Sequence, residues 1–172
     1  MEHLVDFFSN EQVSWRFDPI VHWKENGELK NNLSDLEYLS GKIRETGVRR
    51  CVISFVQMYG KVKKRMESRS SFKFVDILDE EKKLLAKEIA KINKENSIDT
   101  FSCANTSIID GKLIKKSHCI DGALLENIFK EKVSKAKDSG QREECGCTKS
   151  RDIGSYNQEC FHGCLYCYAN GI

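Results

Sequence analysis

The chain has 172 residues, of which 40% are hydrophobic and one is proline, enough to build the core of a single domain. Its 28 Lys and Arg nearly balance its 26 Asp and Glu, and the resulting net charge of +2 gives no case for a dedicated nucleic-acid or membrane surface. No apolar run approaches the roughly 20 residues that span a bilayer. The start, "MEHLVDFFSN", lacks the basic residues and cleavage site of a signal peptide. A cytoplasmic location is therefore expected.

In chain order, residues 2–9 predict a short helix with Leu4, Val5 and Phe8 on one face. "VSWRFDPIV" has the β-branched and aromatic character of a strand that ends at Pro19, and "NGELKNN" reads as a loop. Ser34 with Glu37 has the spacing of a capping box, opening a helix to about Gly47. "RRCVISFVQM" is a compact apolar run suited to a buried parallel strand. The basic stretch "YGKVKKRMESRSS" follows as a helical or loop excursion, with "KVKKR" expected as a solvated face. Asp79 to about Asn96 is the clearest helix, with Leu84, Leu85, Ala86, Ile89, Ala90 and Ile92 expected to build one apolar face. "SIDTFSCAN" predicts a third strand, and a brief helix around Asp121–Lys130 precedes a polar tail.

Strands alternating with helices imply a parallel sheet built from right-handed crossovers. The expectation is an α/β fold of three parallel strands, part of a barrel or an open sheet. Residues 1–138 form the α/β region and 139–172 a Cys-rich tail. Ligands in such folds gather at the C-terminal ends of the strands. That places Arg16, Asp18, Tyr59, Gly60, Cys103 and Asn105 near the expected site. Arg16 and Asp18 can pair with each other at a strand end or bind a substrate. Trp15 and Trp23 read as packing residues.

Eight cysteines in a reducing compartment point to metal ligation or redox chemistry rather than disulfides. Five of them fall between Cys145 and Cys167. Cys160, Cys164 and Cys167 form C-x3-C-x2-C, with Tyr166 before the last. Three thiolates from one loop can hold a four-iron four-sulfur cluster with one iron left open, or a zinc ion given a fourth ligand. His162 is poorly placed to be that ligand, lying two residues from both Cys160 and Cys164. Cys103 and Cys119, with the C-x-C pair Cys145 and Cys147, form a candidate second site. For Cys103 and Cys119 the alternative is burial as small hydrophobes, the role expected of Cys51. His118, beside Cys119, reads as an exposed polar loop histidine, with metal ligation as the alternative.

The terminal "GCLYCYA" resembles the cluster loop of radical S-adenosylmethionine enzymes, especially relatives of spore photoproduct lyase. The segments "WRFDPI", "CVISFV", "HCID", "CGC", "DIGSY" and the tail also resemble an uncharacterised bacterial and archaeal domain-of-unknown-function family. That likeness runs from about Val13 to Asn170. It implies half of a partial (βα)6 TIM-like barrel, with the cluster loop at the C-terminus instead of after the first strand. It also implies that the chain corresponds to the C-terminal part of longer members.

By the same resemblance Cys160, Cys164 and Cys167 bind the cluster. Its open iron would chelate S-adenosylmethionine, whose reductive cleavage needs an electron donor. Tyr166 and Tyr168 would pack around the cluster or the adenine. The substrate stays unidentified, and an oligomer or a missing N-terminal half would complete the sheet. Three other readings stay open: a zinc-binding structural module without catalysis, an electron carrier, and a truncated, inactive fragment.

Overall fold

A computed structural model describes residues 1–67, 73–151, 153, 162, 164, 166 and 167. Four parallel strands form the main sheet in the order β1-β4-β6-β7, namely Trp15–Ile20, Arg50–Phe55, Asp99–Ser102 and Ile114–Lys116. Trp15 pairs with Cys51, Cys51 with Thr100, and Thr100 with Ile114, so these residues cross the sheet in one row. The fold is mixed α/β with a parallel sheet. It has one more parallel strand than the sequence pattern predicts, because β7 is only three residues long and carries two lysines. What sets β7 in place is a tight turn before it. The Asp110 carboxylate accepts from the amides of Lys112, Leu113 and Ile114, and the Gly111 amide donates to the Ile114 carbonyl.

A second, antiparallel sheet has the order β3-β2-β5, from Glu28–Asn31, His22–Glu25 and Lys73–Val75. This corrects the reading of "NGELKNN" as a loop. Asn26 and Gly27 both take positive φ (53° and 84°), the geometry of a two-residue hairpin turn in which Asn-Gly is the favoured pair. Strand β1 also runs through Pro19 to Ile20, with an irregular register between Phe17 and Ile20.

The described residues also include helices α1 (Glu2–Phe8), α2 (Leu36–Glu45), α3 (Gly60–Glu67), α4 (Asp79–Glu95) and α5 (Gly122–Phe129), and a short 3-10 helix, Thr106–Ile108. The predicted Ser34 cap does not form. Asp35 precedes the helix without a side-chain cap, and the Leu36 amide instead donates to the Leu33 carbonyl at 3.0 Å. At α4 the Glu81 carboxylate accepts from the Leu78 amide at 3.0 Å, while Asp79, Glu80 and Glu81 meet the positive end of the helix dipole.

Period-two alternation gives the main sheet two different faces. Trp15, Cys51, Ile53, Phe55 and Ile114 point into the core, where α2 and α4 contribute Leu36, Ile43, Ala86, Ile89 and Ala90. Cys51 and Trp15 are thus packing residues, as expected. At one point this core is polar: the Ser40 hydroxyl donates to Asn93 Oδ1 and Asn93 Nδ2 donates to Thr100 Oγ1, both at 3.0 Å. The opposite face carries Arg16 and Asp18 on β1, Arg50, Val52 and Ser54 on β4, and Phe101 on β6, with Cys103 just beyond that strand's end. A parallel sheet is normally apolar on both sides. Here one face carries Arg16, Asp18 and Arg50 instead.

Candidate metal centre and adjoining cavities

Cys103 follows the last residue of β6, Cys119 lies in the loop after β7, and Cys147 lies in the tail beyond α5. Their sulfur atoms all fall within 4.8 Å of one another, a group that could hold a metal ion. The Cys103 and Cys119 sulfurs are 3.2 Å apart. Cys103 and Cys147 are buried, whereas Cys119 is exposed. The fourth cysteine of the predicted second site, Cys145, is buried but is not among the three sulfurs that lie within 4.8 Å of one another. His118 is not a member of this group. Its Nδ1 is buried without a hydrogen-bond partner among the described residues.

The tail folds back on the segment after α5 and onto the loop after β7 through a few backbone bonds. The Thr148 amide donates to the Ile120 carbonyl at 3.0 Å, the Asp138 amide to the Cys147 carbonyl at 3.3 Å, and the Lys149 amide to the Ala136 carbonyl at 2.8 Å. Close packing needs glycine at two positions. A Cβ on Gly122 would lie 2.8 Å from Thr148 Cγ2, and one on Gly146 would lie 1.9 Å from His118 Cε1.

Arg16 and Asp18 form the expected ion pair, Nη2 to Oδ2 at 2.5 Å and Nε to Oδ1 at 3.2 Å. The same guanidinium donates to Cys119 Sγ at 3.2 Å, linking the pair to the thiols. The Cys119 thiol is lowered to about 5, first by the hydrogen bond from Cys103 and, against the opposing effect of burial, by Arg16. Cys103 moves up for the reciprocal reason and through desolvation. Burial pushes Cys147 up as well. Burial works to lower the Arg16 pKa, but Asp18 and then Cys119 outweigh it, so Arg16 stays charged. Cys51 sits apart with its thiol pushed up to about 12 by burial, which suits an inert core residue.

Two cavities adjoin the thiols. One of about 110 Å³ is lined by Arg16, Asp18, Ser54, Asn105, Cys103, Cys119 and Tyr166. The other, of about 580 Å³, lies between the charged sheet face and helices α1 and α5. Its walls include Leu4, Phe8, Val52, Leu124 and Ile128, and its polar groups include Arg16, Arg50, His118 and Asp121. Arg50 lies over the Phe101 ring with its guanidinium carbon 3.9 Å from the centroid, donates to Ser117, and reaches Asp121 at 4.0 Å. Desolvation lowers its pKa more than Asp121 and Asp99 raise it.

Of the terminal triplet, Cys164 and Cys167 are described, and Cys160 lies outside the described residues, as does Tyr168. The Cys167 amide donates to the Cys164 carbonyl at 3.1 Å. Arg65 donates to the carbonyls of both, at 3.2 Å for Cys164. Tyr166 lies 6.4 Å from Tyr59, ring to ring, and its hydroxyl accepts from the Gln57 amide at 3.4 Å. His162 is exposed. In "KVKKR" the lysines are solvated as expected, but Arg65 is half-buried against the tail. A uniform solvated face does not describe it, and its place three residues on from the buried Val62 was the signal. Arg50 was also passed over. Its clue was a charge at the head of an otherwise apolar strand.

A model of the family described as "Domain of unknown function (DUF1848)" matches residues 1–169. The chain belongs to this family. No curated protein and no solved structure matches it. Among the described residues no helix is long and apolar enough to cross a membrane.

Proposed function

We propose that this chain is an iron–sulfur protein of the radical S-adenosylmethionine type, whose substrate is held on the charged face of the parallel sheet. Cys160, Cys164 and Cys167 hold a four-iron four-sulfur cluster, and the sheet is part of a partial (βα)6 barrel. The observation that supports this reading is where Tyr166 lies. It shares one cavity with Arg16, Asp18, Cys103 and Cys119 at the C-terminal ends of β1 and β6, the edge where parallel α/β folds bind ligands.

Of the proposed ligands, Cys164 is exposed, Cys167 is half-buried, and the two share one turn, which supports the reading. When bound, the cluster supplies one electron to the sulfonium of S-adenosylmethionine. The chain's own residues do the rest. Arg65 fixes the turn through its carbonyls. Tyr59 and Tyr166 offer aromatic surface beside it. Arg16 and Asp18 present a cation and an anion to the carboxylate and amino groups, respectively, of the cofactor or to polar groups of the substrate. An electron donor is the partner such chemistry requires.

Iron and sulfide analysis of protein prepared without oxygen, with electron paramagnetic resonance of the reduced sample, tests the proposal. About four irons per chain are expected, with a spectrum altered by S-adenosylmethionine and lost in Cys164→Ala. A cluster retained in that variant, or a spectrum indifferent to S-adenosylmethionine, would overturn it.

A further inference from the structure

We propose that Cys103, Cys119 and Cys147, with Cys145 as fourth ligand, bind a single zinc ion that clips the tail onto the sheet. The site is separate from the terminal triplet and does not depend on the proposed function. Size selects the metal. Zinc–thiolate bonds of about 2.3 Å in a tetrahedron put sulfurs roughly 3.8 Å apart. The three sulfurs, all within 4.8 Å of one another, fit that envelope with little movement. A four-iron cubane takes each thiolate on a different iron corner and needs them spread more widely. Soft thiolates with no carboxylate or imidazole in the group favour zinc among common divalent ions.

The surroundings also suit a metal thiolate. Four thiolates around a divalent ion carry excess negative charge, and Arg16 donates to Cys119 Sγ at 3.2 Å. The Ile120 amide donates to Cys147 Sγ at 3.4 Å. Hydrogen bonds of this kind orient metal ligands and tune their basicity. The ligands come from three segments that are far apart in sequence, so the ion would join the end of β6, the loop after β7 and the tail. Cys119 and Arg16 line both cavities. The ion therefore fixes the wall between them, and its binding energy is part of the tail's folding energy.

The test uses the whole chain purified in air, loaded with one equivalent of zinc, and treated with iodoacetamide before and after chelation, with peptide mass spectrometry. Cys119 is the informative residue, because it is exposed and burial cannot protect it. It should resist alkylation with zinc bound and react after chelation. Equal labelling in both states overturns the proposal. In parallel, one equivalent of cobalt(II) should give an intense thiolate-to-metal band that falls by about a quarter in each of Cys119→Ser, Cys145→Ser and Cys147→Ser, as one of four thiolates is lost, and is unchanged in Cys164→Ser. A band unchanged in any of the first three, or weakened in Cys164→Ser, refutes the four-thiol site. The labelling experiment needs no variant, so misfolding of a substituted chain cannot protect the idea.

Discussion

Replacing Gly146 with alanine should loosen the thiol site while leaving the α/β core standing. A methyl there would lie 1.9 Å from His118 Cε1 and 2.2 Å from Nδ1. Carbon atoms in contact prefer about 3.5–4.0 Å, so ring or backbone must move by roughly 1.5 Å. Gly146 sits between Cys145 and Cys147, and His118 precedes Cys119. Any movement therefore separates ligands. Overpacking of this kind typically costs about 1–3 kcal/mol. If the tail relaxes when the metal leaves, that cost falls on binding, a loss of roughly 5–150-fold in zinc affinity. Competition against a chromophoric chelator measures it directly, and a urea melt followed by far-ultraviolet circular dichroism reports the core. Removing the obstructing ring in Gly146→Ala/His118→Ala should restore most of the affinity. Unchanged zinc affinity in the single variant, or no recovery in the double, would refute the steric reasoning.

Further outcomes follow from the same structure. Asn93→Ala should cost about 2–5 kcal/mol in a urea melt, because it leaves two buried hydroxyls, Ser40 and Thr100, without their partner; a loss below about 1 kcal/mol would contradict the network. His22 is 4% exposed, and desolvation lowers its pKa below the ordinary value. The unfolded chain therefore takes up this proton first as pH falls. The His22 contribution is complete above its unfolded pKa of about 6.5 and is lost as pH drops through that value toward the folded one. His22→Gln should flatten the stability profile between about pH 7 and 5, and an unaltered profile would show that other groups dominate it. Arg65→Ala removes donors to the Cys164 and Cys167 carbonyls, worth about 1.5–3 kcal/mol each for a charged donor. Limited proteolysis near the terminal cysteines should speed up by at least tenfold, about 1.4 kcal/mol, and an unchanged rate would mean Arg65 does not hold the turn.

The sequence by itself determined the parts of the fold that depend on short-range periodicity. The stripe through Ile89 and Ile92, the apolar run around Val52 and Ile53, and the strand containing Phe101 state helix or strand locally, because burial repeats with the period of each element. Cys51 as a core residue and Arg16 paired with Asp18 could also be read from their neighbours. Asn26-Gly27 was a legible hairpin signal that a reading of polar residues as loop overlooked. Strand β7 gave almost none, since its place depends on a turn built by Asp110 and on ladder bonds to β6. The charged face of the sheet and the meeting of Cys103, Cys119 and Cys147 belong to the tertiary structure alone. Spacing along the chain cannot state that three sulfurs converge when crossovers and loops separate them. It is the register of β6 and β7, and the ladder that returns the tail to Ile120, that close those distances.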